Sequence, residues 1–212
     1  MMLILLVGLL TAPVFAQDDD FRSKPLVTVA TTEEVGPIYR RNVALIVGID
    51  RYHRDPDIQT LDYARADAEA VADVLRERFG FETYTLYDQE ATKEQLFGTL
   101  SRLQNEMGER DALLVFWAGH GHTERLYDGS QEGWLIPADG TMDESAADFA
   151  LRNLSMEELR RTLQRRIPAR HKFVIADACY AGVLATRGTV PTLPDYDLAF
   201  VRARRRTRPC RF

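Results

Sequence analysis

Only two of the 212 residues are cysteine, Cys179 and Cys210, so the chain can close at most one internal disulfide. In an oxidising compartment that bridge would be the plainest role for Cys179. Cys210 lies among arginines near the end of the chain, a poor place from which to staple a core. Positive charge is also not in excess: the net charge of −5 gives no reason to expect a nucleic-acid partner. No internal repeat is visible, which argues against a solenoid. The apolar run Met1–Ala16 is shorter than the about 20 residues that a spanning helix needs. No Lys or Arg precedes that run, and no Cys near its end offers a lipid-anchor site.

What is present at the N-terminus resembles a secretory signal peptide over residues 1–16. Val14 and Ala16 supply the small residues of a cleavage site before Gln17. The expectation is an exported protein, periplasmic or secreted, with no membrane contact after cleavage. An uncleaved anchor, or a mis-assigned start, is the competing reading. Residues 17–40, with Asp18, Asp19, Asp20, Pro25 and Pro37, read as a linker.

An apolar content of 45% and a charged content of 28% are those of a globular protein, and the length suits one domain. From Val43 the patterning sharpens. Val43–Ile49 reads as a buried strand. Ala64, Ala68, Val71, Leu75 and Phe79 recur at helical spacing before Gly80. A strand is expected over 82–87. Thr92 and Gln95 then cap a helix whose stripe is Leu96, Leu100, Leu103 and Met107. Ala112–Ala118 is a third strand, and Leu126–Ala138, with Asp128–Gly129, suits a hairpin or long loop. Ser155 and Glu158 cap a helix carrying Leu159, Leu163 and Ile167, stopped by Pro168. Phe173–Ala176 is a further apolar strand, read as covered on both faces. Beyond Gly182, Asp197–Val201 is the only other candidate element. The order predicts an α/β fold: a mostly parallel sheet wrapped by helices. Arg202, Arg204, Arg205, Arg206, Arg208 and Arg211 read as a solvated basic tail.

Two strands end in reactive groups. One stops at Gly119-His120-Gly121, the other at Asp177-Ala178-Cys179. In a parallel sheet, chemistry gathers at the carboxyl ends of the strands. Alone, His120 is a loop histidine and Cys179 a small core residue. Together they fit a thiol nucleophile and its base, with glycine-flanked backbone amides to hold an oxyanion. His122 is the other histidine nearby, and lies past the strand end. His120, His122 and Cys179 could also serve zinc, but a fourth ligand is missing.

The stretch from Asn42 to Gly182 resembles the caspase-fold cysteine peptidases, and the metacaspases and their bacterial relatives more than animal caspases. The residues that carry the likeness are Ala118-Gly-His-Gly121 and Asp177-Ala-Cys-Tyr-Ala-Gly182. The resemblance implies a caspase-like three-layer domain over residues 41–182. It also implies His120 as base, Cys179 as nucleophile, and the N–H groups of Gly121 and Cys179 as the oxyanion hole.

Asp177 lies two positions before Cys179, so an extended strand points both to one face, where a carboxylate attracts a cation. Caspases carry an Arg and an Asp at the positions matching Leu61 and Asp67; the Arg binds an acidic substrate. Leu61 replaces that cation, as in metacaspases, whose Asp at the place of Asp67 helps bind Arg or Lys. Peptide or protein substrates with Arg or Lys before the cut are therefore expected.

The chain departs from the metacaspase pattern at Ala64 and Ala118, where hydroxyl or thiol groups are usual. The fold also implies two more strands after the cysteine, and residues 183–212 are too short and too basic to supply them convincingly. Calcium as a cofactor rests on the family resemblance alone. The competing function is a catalytically incomplete caspase-like module that binds a peptide or partner through the same groove.

Overall fold

The computed structural model describes residues 38–178 and 197–202. The expected signal peptide, residues 17–37 of the expected linker, Cys179 and the rest of the expected basic tail lie outside these residues.

Apolar runs dictate the main sheet. It comprises β1 (Arg41–Gly48), β2 (Glu82–Tyr87), β3 (Asp111–Ala118), β7 (His171–Asp177) and β8 (Asp197–Arg202), in the order β2-β1-β3-β7-β8. All four pairings are parallel. Val43 to Val47 are fully buried, as a central strand covered on both faces requires.

The helices cover opposite faces. On one lies α1 (Ala64–Phe79), whose Ala64, Ala68 and Ala72 pack on Ala44, Ile46, Phe116 and Ala118. Gly80, at φ 66°, caps it in the left-handed conformation that glycine adopts without cost. On the other face, α2 (Lys93–Glu106) and α4 (Met156–Arg166) bring Leu96, Leu100, Leu103, Leu159 and Leu163 onto Leu45, Val47, Val115 and Val174. Both helices start as the sequence predicts, with Thr92 accepting from Gln95 N–H and Ser155 from Glu158 N–H. The result is the expected three-layer α/β architecture.

Four features differ from the sequence reading. The hairpin is real, formed by β4 (Gly121–Arg125) and β5 (Gln131–Leu135), but it belongs to a second, three-stranded sheet completed by the two-residue β6 (Leu154–Ser155). A short helix, α3 (Phe149–Arg152), precedes β6, and four residues were too few to show a period. β7 is buried at alternate residues rather than throughout, with Val174 and Ala176 sealed and Phe173 and Ile175 partly exposed. Coverage is complete only on the α2/α4 face. Finally, Arg202, read as part of a solvated tail, is the last residue of β8 and pairs with Ala176. A strand there covers the backbone groups that β7 would otherwise leave as an open edge.

Gly48 shows how closely α1 approaches the sheet. A Cβ at that position would lie 2.5 Å from the Ala68 Cβ and 3.0 Å from both the Ala64 carbonyl oxygen and the Arg65 Cα. These are rigid neighbours, so Gly48→Ala is expected to cost about 1–3 kcal/mol as α1 is pushed off β1. Urea unfolding monitored by circular dichroism would read the loss.

Candidate active site

Three strands stop at one level. Gly48 pairs with Ala118, and Ala118 with Asp177. Backbone bonds continue the register, from Ile49 N–H to the Ala118 carbonyl (3.0 Å) and from Gly119 N–H to the Asp177 carbonyl (3.3 Å). His120 and Cys179 are each the second residue after a member of the Ala118–Asp177 pair. Cys179 itself lies outside the described residues.

His120 is held from two sides by the β1–α1 loop. Its backbone N–H donates to the Tyr52 hydroxyl at 2.7 Å, and the two rings tilt against each other with centroids 5.0 Å apart. Its Nε2 lies 2.7 Å from the Gln59 carbonyl oxygen. A carbonyl only accepts, so Nε2 carries the proton and Nδ1 is left with its lone pair. Burial disfavours the imidazolium and lowers the His120 pKa from the ordinary 6.5; the Gln59 carbonyl opposes this without reversing it. The ring is therefore neutral at pH 7, with Nδ1 ready to take a proton.

The loop that does this is itself anchored. Asp88 accepts from Asp50 N–H (2.9 Å) and Arg51 N–H (3.1 Å), and pairs with Arg65 at 3.1 Å. It does so from a left-handed backbone conformation, φ 44°, which aspartate tolerates better than most residues. Asp50 closes the other end, its carbonyl accepting from Leu61 N–H and its carboxylate from Arg65 N–H. Gly119 is needed between Trp117 and His120. A Cβ there would come within 3.0 Å of the Tyr52 hydroxyl and 3.2 Å of Trp117 Nε1.

The second histidine is occupied differently. His122 stands on β4, its Nε2 paired with Glu144 and its ring edge-on to Phe149. The two histidines thus turn to separate partners. Among the described residues no group of three or more His, Cys, Asp or Glu could hold a metal ion. The described residues therefore do not fit the calcium that the resemblance implied, and the zinc alternative gains no further ligand from them.

Gly121 opens β4. Ile136 N–H donates to the His120 carbonyl and Leu126 N–H to the Ser130 carbonyl, which makes 120/136 and 126/130 the hydrogen-bonded pairs of this hairpin. Gly121, opposite Leu135, is a non-hydrogen-bonded position, and its N–H points away from β5.

The acidic residues share one side of the sheet. Asp177 follows Ile175 at strand spacing, on the sheet face that α1 covers at β1 and β3, where Ile175 packs against the apolar cluster. Asp67 lies exposed in the first turn of α1. Leu61, half-buried, packs at the same helix. Ala64 and Ala118 are both sealed within the α1–sheet packing. Their small size serves the close approach of α1, a physical reason for the departure at these positions.

Tyr52, Gln59 and Asp88 are absent from the sequence reading. Gln59 acts through its carbonyl, which every residue has, so no residue type could have signalled it. Tyr52 lies in a loop and Asp88 in a three-residue 3₁₀ turn, Asp88–Glu90, neither with a periodicity to mark it.

A family model described as peptidase C14, caspase domain, matches residues 41–208. Among solved structures, a Geobacter sulfurreducens protein superimposes with a TM-score of 0.52 at 23% identity, covering 66% of this chain and 50% of that one. The Drosophila initiator caspase Dronc gives a TM-score of 0.41 at 15% identity, covering 81% of this chain and 61% of its own. The structure of pro-sf-caspase-1 gives 0.47 at 16% identity, covering 84% and 66%. The chain thus spans half to about two thirds of the length of these structures. No curated protein matches it.

Proposed function

The chain belongs to the caspase-domain family of cysteine peptidases, and we propose that it hydrolyses peptide bonds after Arg or Lys, with Cys179 as nucleophile and His120 as base. The observation that carries this reading is the Gln59 carbonyl on His120 Nε2, which fixes the tautomer that leaves Nδ1 as the acceptor. In the reaction, Nδ1 takes the Cys179 thiol proton and the sulfur attacks the carbonyl carbon of the scissile amide. The carbonyl oxygen becomes an oxyanion, received by the N–H groups of Gly121 and Cys179. Collapse breaks the C–N bond, and the imidazolium returns its proton to the departing amine. Water, deprotonated by the same Nδ1, then hydrolyses the thioester and restores the thiol.

The reading of substrate class, and of the metacaspase-like type within the family, is supported by two carboxylates on the α1 side. A cationic side chain lying there would meet Asp177 beside the nucleophile and Asp67 on α1. Leu61 brings no cation that would favour an acidic substrate.

The pH dependence tests the burial of His120. A base whose pKa is lowered stays unprotonated to more acidic pH, so activity is present above that pKa and lost as pH falls through it. The acidic limb of kcat/KM is expected below the ordinary histidine value of 6.5. A limb at or above that value would contradict a base whose burial outweighs its hydrogen bond to the Gln59 carbonyl.

A further inference from the structure

One edge of the small sheet leads straight out of the proposed oxyanion site. In the order β4-β5-β6, β4 is the outer strand, and among the described residues no other strand pairs with its far side. The two bonds that fix the hairpin register also fix which groups face that side. Residues 122 and 124 turn their backbone groups to β5; Gly121, Thr123 and Arg125 turn theirs outward. Thr123 is partly exposed and Arg125 exposed. Thr123 thus offers an N–H and a carbonyl about 6.8 Å along the strand from Gly121.

We propose that the outward edge of β4, from Gly121 through Thr123 to Arg125, pairs with the backbone of the substrate on the leaving-group side of the cut. The inference rests on the peptidase reading above and extends it to the residues after the scissile bond. The side is decided by chemistry. His120 must protonate the departing amine, so it lies on the leaving-group side, and β4 begins at the next residue. An extended chain whose carbonyl oxygen sits at Gly121 N–H and that continues along β4 passes the outward backbone groups of Thr123. Pairing to a strand edge supplies main-chain hydrogen bonds without demanding particular side chains. The proposed acidic residues select the side chain before the cut; the β4 edge selects an extended polypeptide after it. The substrates would then be segments that can enter as open strands rather than terminal amides.

The test compares two substrates in the same full-length protein: an arginyl fluorogenic amide with nothing after the cut, and an internally quenched peptide with the same residues before the cut and four after it. The quenched peptide is expected to gain about 2- to 12-fold in kcat/KM for each backbone bond retained. Methylating its leaving-group amides one at a time should remove the gain at alternate positions only, the signature of strand pairing. Thr123→Pro removes an outward N–H, which an edge strand accommodates, and should bring the ratio of the two substrates toward one. Equal turnover of the two substrates, or losses that do not alternate, overturns the proposal while leaving the peptidase reading intact. The same holds if Thr123 N–H is already protected from hydrogen exchange in the free protein. Absence of any Cys179-dependent turnover of either substrate overturns both.

Discussion

Replacing His120 with alanine is expected to lower kcat/KM by roughly 10²–10⁴-fold, the range for a lost general base, and Cys179→Ala to abolish turnover. His122→Ala is expected to stay within a few fold of the parent protein. The separation of the two histidines makes this prediction sharp, because they differ in sequence by only two positions. His120 has its Nε2 on the Gln59 carbonyl and its N–H on Tyr52, in the loop that closes over the carboxyl ends of the strands. His122 is tied to Glu144 and lies against Phe149 on the small sheet. Nε2 of His120 is thus committed to a carbonyl, which keeps Nδ1 as an acceptor, whereas Nε2 of His122 is engaged with a carboxylate on the small sheet. Steady-state turnover of an arginyl fluorogenic amide by the three variants, with circular dichroism to show each is folded, reads the outcome. Loss of turnover in His122→Ala with retention in His120→Ala would mean that the base has been misassigned.

The second large effect is expected in substrate choice. Among matched peptides ending in Arg, Lys, Asp and Leu before the cut, Arg should be cleaved fastest and Asp slowest. Burying a charged side chain without a partner is costly, so the sign of the groups lining the site ranks the substrates. Asp177 stands at the end of β7 on the α1 side, two residues before Cys179, and Asp67 is in the first turn of α1. A guanidinium can meet a carboxylate through two parallel bonds where an ammonium cannot, which places Arg above Lys. A charge-assisted bond is worth about 1.5–3 kcal/mol, so Asp177→Ala should slow Arg cleavage roughly 10- to 100-fold. The same variant should slow Arg cleavage far more than it alters the unfolding midpoint. Faster cleavage after Asp than after Arg would refute the cationic pocket while leaving the nucleophile and base untouched.

The parts of this architecture that were legible in the sequence are those in which side-chain chemistry and period coincide. The buried run 43–47, the capping pairs Thr92–Gln95 and Ser155–Glu158, and the glycine after α1 each name their own structure. His120 was visible because an apolar strand broke off at a glycine-flanked histidine. The small sheet was only half visible, since a two-residue strand such as β6 has no alternation to read. Coverage of β7 was overestimated, because four consecutive apolar residues look alike whether one face or both are sealed; α1 lies over β1 and leaves Phe173 and Ile175 partly exposed. The basic run after residue 200 concealed the end of β8, whose backbone pairing to β7 is indifferent to the charge of Arg202. The orientation of His120 was invisible for a deeper reason. It depends on a backbone carbonyl, a hydroxyl accepting a main-chain N–H, and an aspartate in a left-handed turn tying down the loop, none of which a residue type announces.

The most direct test of the central claim is covalent labelling with a thiol-reactive peptide probe ending in Arg, followed by mass-spectrometric mapping. The chain has two cysteines, so the site of modification is an either-or result. The account predicts modification of Cys179 and not Cys210, with labelling suppressed in His120→Ala and retained in His122→Ala. Complete loss of activity with the label on Cys210, or full turnover persisting in Cys179→Ala, would contradict it.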